Sequence, residues 1–469
     1  MTELLNPAST QDAPAVDHHS SHRSLLHQPA VPAEHAAAVD AIVVPTARRL
    51  EHLRAALASV RALGCPVLAL CSGRAEPRHV VEAARDLEVQ AYAVRMPARP
   101  PLPRFGTTAQ PIVRTIGITA DTSAKRNLGL LVARMAGLRR IVFLDDDIVD
   151  IRPQELRDAA YLLDTYEAVG LRNTGYPDNS VVCHAYRATG GAQGTFIGAG
   201  ALAVRVDAGT GFFPSLFNED WLFLFDALRQ GRVAVTGTVA QQSFDPFATP
   251  HSARLQEFGD CLGEGLYWLL DLGRDLDDAS LRFWADFLAK RRRFIREIIV
   301  RLTRDGASIE GSDRMVESLK AASAYHHRFG PQDCVDYLAA WAADRRMWTQ
   351  RLGTEDMPMA LDTALKRLRL NHFSTEHGYP PAVTVSLPQP PSKASRPPYR
   401  PRQDSTGPGR DRLRQLSRGL GQLPHWLGRR RHRLGRLSYK ALWAIGFAPK
   451  PNWNLADYPL LIDRTPAGN

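Results

Sequence analysis

The chain has 469 residues, of which 44% are hydrophobic and 23% charged, and its formal net charge is +10. This composition is typical of a soluble protein with two or three domains, and no run of residues approaches the roughly 20 apolar positions of a membrane-spanning helix. Residues 391–450 contain 15 Lys and Arg but only two Asp, so the remainder of the chain is slightly acidic.

The five cysteines are scattered along the chain, and no two of them have C-x-x-C spacing. This odd, dispersed set favours reduced thiols and argues against a structural zinc site. The N-terminal residues do not combine a basic region with an apolar core, so we expect no signal peptide and a cytoplasmic protein. The cysteines are Cys65, Cys71, Cys183, Cys261 and Cys334.

We predict a disordered arm over residues 1–39, because this segment is polar and rich in Ala, Pro, Ser and His. Residues 40–254 alternate short apolar runs with stretches of helical spacing. This alternation predicts an α/β domain with a doubly wound, mostly parallel sheet and helices on both faces. The predicted strands are 41–44, 67–70, 90–94, 141–144, 181–186, 201–206 and 233–239, and the predicted helices are 50–63, 80–87, 125–135 and 153–166.

Three carboxylates, Asp145, Asp146 and Asp147, directly follow the predicted strand over residues 141–144. Adjacent acids at the end of a buried strand repel one another, and their desolvation is costly. A divalent cation would offset that cost through oxygen ligands, and ligands of open α/β sheets bind at the carboxyl ends of the strands. The triplet therefore predicts a metal site. The alternative is a solvated acidic turn or the first turn of a helix.

Two further segments have compositions that indicate function. Residues 189–200 contain five glycines, which let a backbone approach a ligand closely; a flexible hairpin is the alternative. Asn218 is a candidate helix cap, with Glu219 and Asp220 in the first turn that follows. Aromatic neighbours on both sides of this pair are expected to raise the pKa of an acid, so that it can take a proton near neutral pH.

The C-terminal half divides into a predicted all-helical domain over residues 255–379, a Pro-rich linker over 380–409 and a basic tail over 410–469. In the helical domain, the basic run 290–293 is predicted as a solvated helix face, and His326 and His327 as surface residues. Residues 410–447 of the tail interleave Leu and Trp with Arg. This pattern suits peripheral contact with an anionic surface at the inner face of the membrane, or an acidic partner; a flexible tail without a target is the alternative. No nucleic-acid-binding module is recognisable, so we expect no specific nucleic-acid partner.

Four features occur in a fixed order: Arg126 and Asn127 in an R-N-x-G sequence, the acid triplet, the glycine-rich segment, and Glu219 with Asp220. His251 follows in a loop. In this combination residues 40–255 resemble the family-2-type glycosyltransferases of the GT-A fold. The resemblance implies a metal-dependent transfer of sugar from a nucleotide-diphosphate donor to an acceptor that it does not identify, with Mn²⁺ or Mg²⁺ as cofactor.

The resemblance also implies roles for single residues. Asp145 and Asp147 would hold the metal, with His251 as a further ligand, and Asp146 would contact the ribose. Asp220 would be the catalytic base of an inverting reaction, beside Glu219; a retaining outcome is the alternative. The residues expected near the donor nucleotide-sugar are Pro45, Thr46, Arg48, Arg126, Asn127, Asp145, Asp146, Gly198 and Gly200.

Two other functions are alternatives to glycosyl transfer. A nucleotidyltransferase shares the sheet and the acids, but it normally carries a Gly-rich, Arg-containing loop after the first strand, where this chain has Pro45-Thr46-Ala47-Arg48. A non-catalytic scaffold with the transferase fold would use the basic tail as its working part. Metal-dependent hydrolysis of a nucleotide-sugar would discriminate, because a scaffold should show none.

Overall fold

The computed structural model describes residues 23–117, 121–174, 180–191, 197–305, 308–355 and 358–375. All of them belong to one compact unit of the chain, Met1–Pro401. The predicted linker over 380–409 and tail over 410–469 lie outside the described residues, as do residues 1–22 and the part of the glycine-rich segment over 192–196. Within the described ranges, no helix combines the length and apolar composition that crossing a lipid bilayer requires.

A mixed, mostly parallel sheet of nine strands forms the centre of this unit. The strands are β1 Ala41–Thr46, β2 Val67–Cys71, β3 Ala91–Arg95, β4 Arg140–Leu144, β5 Ile148–Val149, β6 Ala168–Asn173, β7 Ala201–Arg205, β8 Val233–Gln241 and β9 His372–Ser374. They lie in the order β5-β8-β6-β7-β4-β1-β2-β3-β9. Strands β1, β2, β3, β4, β6 and β8 run in one direction, and β5, β7 and β9 run in the other.

Helices cover both faces of the sheet, as the sequence predicts. In β4, the side chains of Ile141 and Phe143 enter one hydrophobic core and those of Val142 and Leu144 enter the other, which is the alternation of a strand buried on both faces. Helices α1, α2 and α5 cover the second core, and most of the other helices pack on the first. The helices are α1 Leu50–Val60, α2 Pro77–Asp86, α3 Pro111–Ile116, α4 Thr122–Ala136, α5 Pro153–Leu162, α6 Val181–Ala188, α7 Glu219–Arg229, α8 Pro250–Asp271, α9 Leu281–Asp305, α10 Ser312–His326, α11 Pro331–Gly353 and α12 Leu361–Arg367.

The helices beyond residue 250 share a core with the sheet. Phe258 of α8, Trp284 of α9 and Trp341 of α11 belong to the same hydrophobic core as Phe143 of β4. The regions predicted as domains over 40–254 and 255–379 are therefore packed together, and the helical region can influence residues at the sheet.

The strand order determines which residues meet at one edge of the sheet. Strand β4 lies between β1 and β7, and Leu144 pairs with Ala201 at the start of the antiparallel β7. The acids that follow Leu144 and the glycines that precede Ala201 are consequently at the same edge. The backbone amide of Asp145 donates to the carbonyl of Gly200 at 2.9 Å.

The prediction of a strand over residues 181–186 is wrong, because these residues begin α6. The Ser180 side chain caps the helix by accepting a hydrogen bond from the Cys183 amide at 3.1 Å. The buried Val181, Val182, Ala185 and Tyr186 follow helical spacing and pack on other helices. A short run rich in β-branched residues has the same composition in a strand and in a buried helix, so composition alone misassigned it.

The predicted disorder of the arm does not hold for residues 23–39. His27 exchanges backbone hydrogen bonds with β8: its amide donates to Val233 at 3.1 Å, and its carbonyl accepts from Val235 at 2.8 Å. The ring of His35 stacks on Tyr161 and contacts Asp158 at 2.9 Å. The polar composition of residues 23–39 does not predict these contacts, because each depends on a partner that is distant in sequence.

Two expectations for the helical region are also wrong. Arg291 lies in the basic run that was predicted to be solvated, yet its side chain is only 2% exposed. His326 was predicted on the surface, yet its side chain is 0% exposed. Both side chains are paired with carboxylates of α8. His327 is exposed, as predicted.

Candidate active site

A cavity of about 220 Å³ opens at the edge of the sheet where β4 ends and β7 begins. The predicted site residues that line this cavity come from four separate parts of the chain. They are Arg126 of α4, Asp145 after β4, Gly198 and Gly200 before β7, and Glu219 and Asp220 of α7. The fold thus brings together residues that are up to about 90 positions apart in sequence.

Asp146 and Asp147 face the end of β1. The Thr46 hydroxyl donates to Asp146 at 2.6 Å, and both residues are buried. The Arg48 guanidinium donates to Asp147 at 2.9 Å and lies 3.5 Å from Asp146. The Arg48 side chain is 44% exposed, so this cation can reach both the acids and a ligand in solvent.

Arg126 joins the acid triplet to the acid pair. Its guanidinium donates to both carboxylate oxygens of Asp145, at 2.9 and 3.0 Å, and also to Glu219. The Arg126 side chain is 4% exposed, and its charge lies 5.6 Å from the centre of the Phe213 ring. A buried guanidinium with two carboxylate partners fixes the distance between β4 and the start of α7.

The carboxylates around Arg126 bind protons more tightly than ordinary acids do. Burial raises the pKa of Asp145 to about 6, with Arg126 opposing the rise and Asp147 adding to it. Burial likewise raises the pKa of Glu219 to about 7, against Arg126 and with a contribution from the neighbouring Asp220. For both acids, the effect of burial thus outweighs the stabilisation that Arg126 gives to the charged form.

Asp220 differs from Glu219 in its partners. One carboxylate oxygen accepts from the Ala199 amide at 2.9 Å, and the other accepts from the Trp221 amide at 3.0 Å. Burial raises the pKa of Asp220 above its ordinary value, although Arg126 and these amides oppose the rise. Asp220 is thus a carboxylate in the cavity wall whose hydrogen bonds come from backbone amides.

The carboxylates at this edge have the chemistry that a hard divalent cation prefers, although among the described residues no three of them come within 4.8 Å of one another. Five carboxylates, those of Asp145, Asp146, Asp147, Glu219 and Asp220, lie at this edge, and the guanidinium groups that pair with them are those of Arg48 and Arg126. Asp147 adds to the raised pKa of Asp145, so a cation beside these two acids would relieve their mutual repulsion. Oxygen ligands of this kind are those that Mg²⁺ and Mn²⁺ prefer.

The glycines before β7 allow close packing against the acids. A methyl group on Gly200 would lie 3.4 Å from a carboxylate oxygen of Asp145 and 3.6 Å from Ile148. Both Gly198 and Gly200 line the cavity. A larger side chain at position 200 would therefore narrow the cavity beside Asp145.

None of Asn127, Pro45 and His251 lines the cavity. Asn127 is buried, and its amide group makes two 2.8 Å hydrogen bonds with the backbone of Phe213, so it holds that part of the backbone in place. Pro45 lies within β1, where it pairs with Leu70. His251, which was predicted in a loop, is exposed in the first turn of α8. Among the described residues, the group of His, Cys and acidic side chains close enough to share one ion is Glu257, Cys261 and His326, so His251 is not gathered with Asp145 and Asp147.

Sequence reasoning missed several polar residues of this edge. Gln241, at the end of β8, donates to Asp147 at 3.1 Å and accepts from Asn173 at 2.8 Å. Lys125 is buried, and its ammonium donates to the Thr46 carbonyl at 2.9 Å and to the Ser72 hydroxyl at 2.7 Å. Lys125 could have been recognised from the sequence, because it is next to Arg126. Nothing in the local sequence marks Gln241, because it reaches the site through the position of β8 beside β5.

No protein-family model matches the chain, and no curated protein is significantly similar to it. Among solved structures, a mannosyltransferase from Pyrobaculum calidifontis, in complex with GDP-Man and Mn²⁺, is similar over 74% of this chain and 92% of its own. The sequence identity is 15% and the TM-score is 0.35. At these values the similarity carries no functional argument, so the function has to be inferred from the residues of this chain.

Proposed function

We propose that this chain is a metal-dependent glycosyltransferase that moves a sugar from a nucleotide-diphosphate donor to an acceptor. The observation that carries the proposal is that three carboxylates (Asp145, Glu219 and Asp220) and Arg126 line one cavity at the edge of the sheet. Asp147, which pairs with Arg48, contacts the cavity-lining Gln241. Carboxylates attract a divalent cation and arginines attract phosphate, and a nucleotide diphosphate bound with its metal has both features.

Asp145 and Asp147 would hold Mn²⁺ or Mg²⁺ together with the donor diphosphate. When bound, the metal would neutralise the charge that develops on the leaving nucleoside diphosphate. Arg48 is half-exposed beside Asp147, where it would contact the donor phosphates. Thr46 and Asp146 lie beside it and would face the nucleotide.

Asp220 is the proposed base of an inverting reaction. It would accept the proton of the acceptor hydroxyl while the acceptor oxygen forms its bond to the anomeric carbon and the bond from that carbon to the diphosphate breaks. Its raised pKa makes it a stronger base than an ordinary aspartate. Glu219 is less suited to this role because it is paired with Arg126.

Thermal shift with a panel of nucleotide-sugars, each with and without Mn²⁺ or Mg²⁺, tests the proposal. A ligand at a hundred-fold excess over its Kd stabilises the folded state by about 2.7 kcal/mol, which is easily measured. We expect stabilisation that requires both the metal and one of the nucleotides. Asp147→Asn should lose it, whereas the matched control Asp164→Asn, in an exposed ion pair with Arg140, should keep it.

Donor binding that is independent of metal, or unchanged in Asp147→Asn, would contradict the proposed metal site. The products distinguish the remaining alternatives. A glycosyltransferase releases a nucleoside diphosphate from the nucleotide-sugar, whereas a nucleotidyltransferase joins a nucleotide to a sugar phosphate and releases pyrophosphate. A scaffold would form neither product.

A further inference from the structure

The residue that precedes the acid pair has an unusual backbone conformation. Asn218 has φ 61° and ψ 36°, in the left-handed region, which asparagine tolerates better than most residues. Although it occupies the cap position of α7, its side chain makes no capping hydrogen bond. The side-chain amide instead donates to Asp260 of α8 at 3.1 Å, and both residues are buried.

Helix α8 approaches this turn very closely, at two glycines one turn apart. A methyl group on Gly259 would lie 2.1 Å from the carbonyl oxygen of Phe217, and one on Gly263 would lie 3.2 Å from the Trp221 ring. One turn further along, the Tyr267 hydroxyl donates to the Trp221 carbonyl at 3.1 Å, and the two rings stack with centres 4.4 Å apart. One face of α8 therefore supports the whole turn that carries Glu219 and Asp220.

A buried ion network holds Asp260 in place behind this face. Arg291 of α9 donates to Asp260 and, at 3.1 Å, to Glu257. His326 of α10 contacts Glu257 at 2.8 Å through one ring nitrogen and the Leu288 carbonyl at 3.1 Å through the other. The four charged or titratable side chains are at most 2% exposed.

The same cluster has the residue types of a metal site, but its charges argue for ion pairing. The ligand atoms of Glu257, Cys261 and His326 lie within 4.8 Å of one another. The Arg291 guanidinium already supplies positive charge to both Glu257 and Asp260. Burial also raises the pKa of the Cys261 thiol well above its ordinary value, with Glu257 adding to the rise, and this disfavours the thiolate that a metal would bind.

We propose that Asp260, held by Arg291, is a positioning residue that fixes the Glu219–Asp220 pair through Asn218. The helical region then helps to position the acid pair of the site. The expected effect of Asp260 on the transfer rate rests on the proposed glycosyl transfer, but its expected effect on the position of Asp220 does not. If Asp260 releases Asn218, the left-handed turn relaxes and Asp220 moves away from the Ala199 amide.

The backbone amide of Ala199 is a direct reporter of this position. It is buried, and it donates to the Asp220 carboxylate. Hydrogen exchange measured by mass spectrometry on the full chain should therefore show faster exchange at Ala199 and Trp221 in Asp260→Asn. We expect an increase of roughly 10- to 100-fold, which corresponds to the contribution of one hydrogen bond to a charged group.

Asp344→Asn is the matched control. Asp344 is another buried acid of the helical region, and it accepts from the backbone amides of Gly106 and Thr107 at 2.7 and 2.8 Å, away from the acid pair. Its loss should lower the thermal stability without changing exchange at Ala199. In the transfer reaction, Asp260→Asn should lower kcat by roughly 10- to 100-fold with a donor KM within about twofold, because misplacement by about 1 Å costs rate rather than binding.

A second variant protects the test against a failure to fold. Asn218→Gly allows the left-handed backbone, which glycine adopts freely, and removes the side-chain amide that donates to Asp260. It should reproduce the faster exchange at Ala199. The proposal is overturned if a folded Asp260→Asn or Asn218→Gly variant exchanges at Ala199 as slowly as the wild type does. It is also overturned if Asp344→Asn exchanges there equally fast. If the wild-type chain transfers no sugar, the proposed function fails, while the exchange data still decide the positioning role.

Discussion

Asp220 accepts a hydrogen bond from the Ala199 amide at 2.9 Å, and this contact joins the start of α7 to the glycines that precede β7. The same carboxylate accepts from the Trp221 amide of its own helix. Two backbone donors thus fix the orientation of the proposed base before any ligand binds. Such preorganisation matters because a base must lie within hydrogen-bond reach of the proton that it takes.

Asp220→Asn should keep the donor bound and remove most of the transfer. Asparagine keeps the size of the side chain and one acceptor oxygen but cannot take the proton. The rate should fall by roughly 10²- to 10⁴-fold, the contribution of general-base catalysis, whereas Glu219→Gln should cost less. Single-turnover transfer measured with saturating donor checks both variants.

Transfer at the wild-type rate in Asp220→Asn would place the base elsewhere. A product that retains the anomeric configuration of the donor would be a stronger objection, because a retaining reaction does not need this base. NMR of the product decides that point independently of the variant.

Glu219 should make the stability of the protein depend on pH. Its pKa is raised from 4.5 to about 7 in the folded state, so between these values the folded state binds more protons than the unfolded state. Protonated Glu219 therefore contributes to the stability of the folded state below about pH 4.5, and this contribution is lost as the pH rises towards 7. The free energy of unfolding of the wild type, relative to Glu219→Gln, should therefore fall by an amount on the order of 1 to 3 kcal/mol across this range.

Urea unfolding at several pH values, without metal or nucleotide, measures this difference. Glu82→Gln, at an exposed position of α2, is the control and should show a much smaller change with pH. A difference that is constant from pH 4.5 to 7, or that grows with pH, would contradict the raised pKa of Glu219.

Arg126→Gln should destabilise the fold, and more so at high pH. The variant leaves Asp145 and Glu219 without their shared cation in a site where the Arg126 side chain is 4% exposed. Breaking a buried ion pair from one side typically costs about 3 to 5 kcal/mol. Protonation of the two acids relieves part of the cost at low pH, so the loss should be smaller at pH 5 than at pH 8.

Arg61→Gln is the corresponding control, because Arg61 and its partner Glu88 are both more than half exposed. Its effect should stay within about 1 kcal/mol at either pH. Equal losses in the two variants would show that Arg126 is not the central cation of the site.

The acid triplet and its place at the sheet edge could be predicted because the signal is local. A short apolar run followed at once by Asp145, Asp146 and Asp147 specifies both a buried strand and the chemistry at its end. Asn218, Glu219 and Asp220 were recognisable in the same way, as polar residues that open the amphipathic helix α7. Arg126 was also predicted near the donor, but its ion pairs with Asp145 and Glu219 were not.

The remaining contacts depend on partners that only the tertiary structure supplies. Arg291 is indistinguishable in sequence from the other basic residues of the run 290–293, and its burial follows from Glu257 and Asp260 on another helix. Strand β6 was not predicted, because it is short and contains a glycine, a residue that is rare in strands. The structure shows that Gly170 packs against Ile197. In each case a long-range neighbour overrides the local pattern.

The basic tail should bind anionic membranes, a prediction that rests on sequence because residues 410–469 lie outside the described residues. The excess of 13 positive charges over residues 391–450, interleaved with Leu and Trp, provides both electrostatic attraction and apolar insertion. Full-length protein should co-sediment with phosphatidylserine-containing liposomes at low salt, and less at higher salt as the charges are screened. Removal of residues 391–469 should abolish the binding. Phosphatidylcholine liposomes are the control, and a full-length protein that ignores anionic liposomes at low salt would show that the tail has another role.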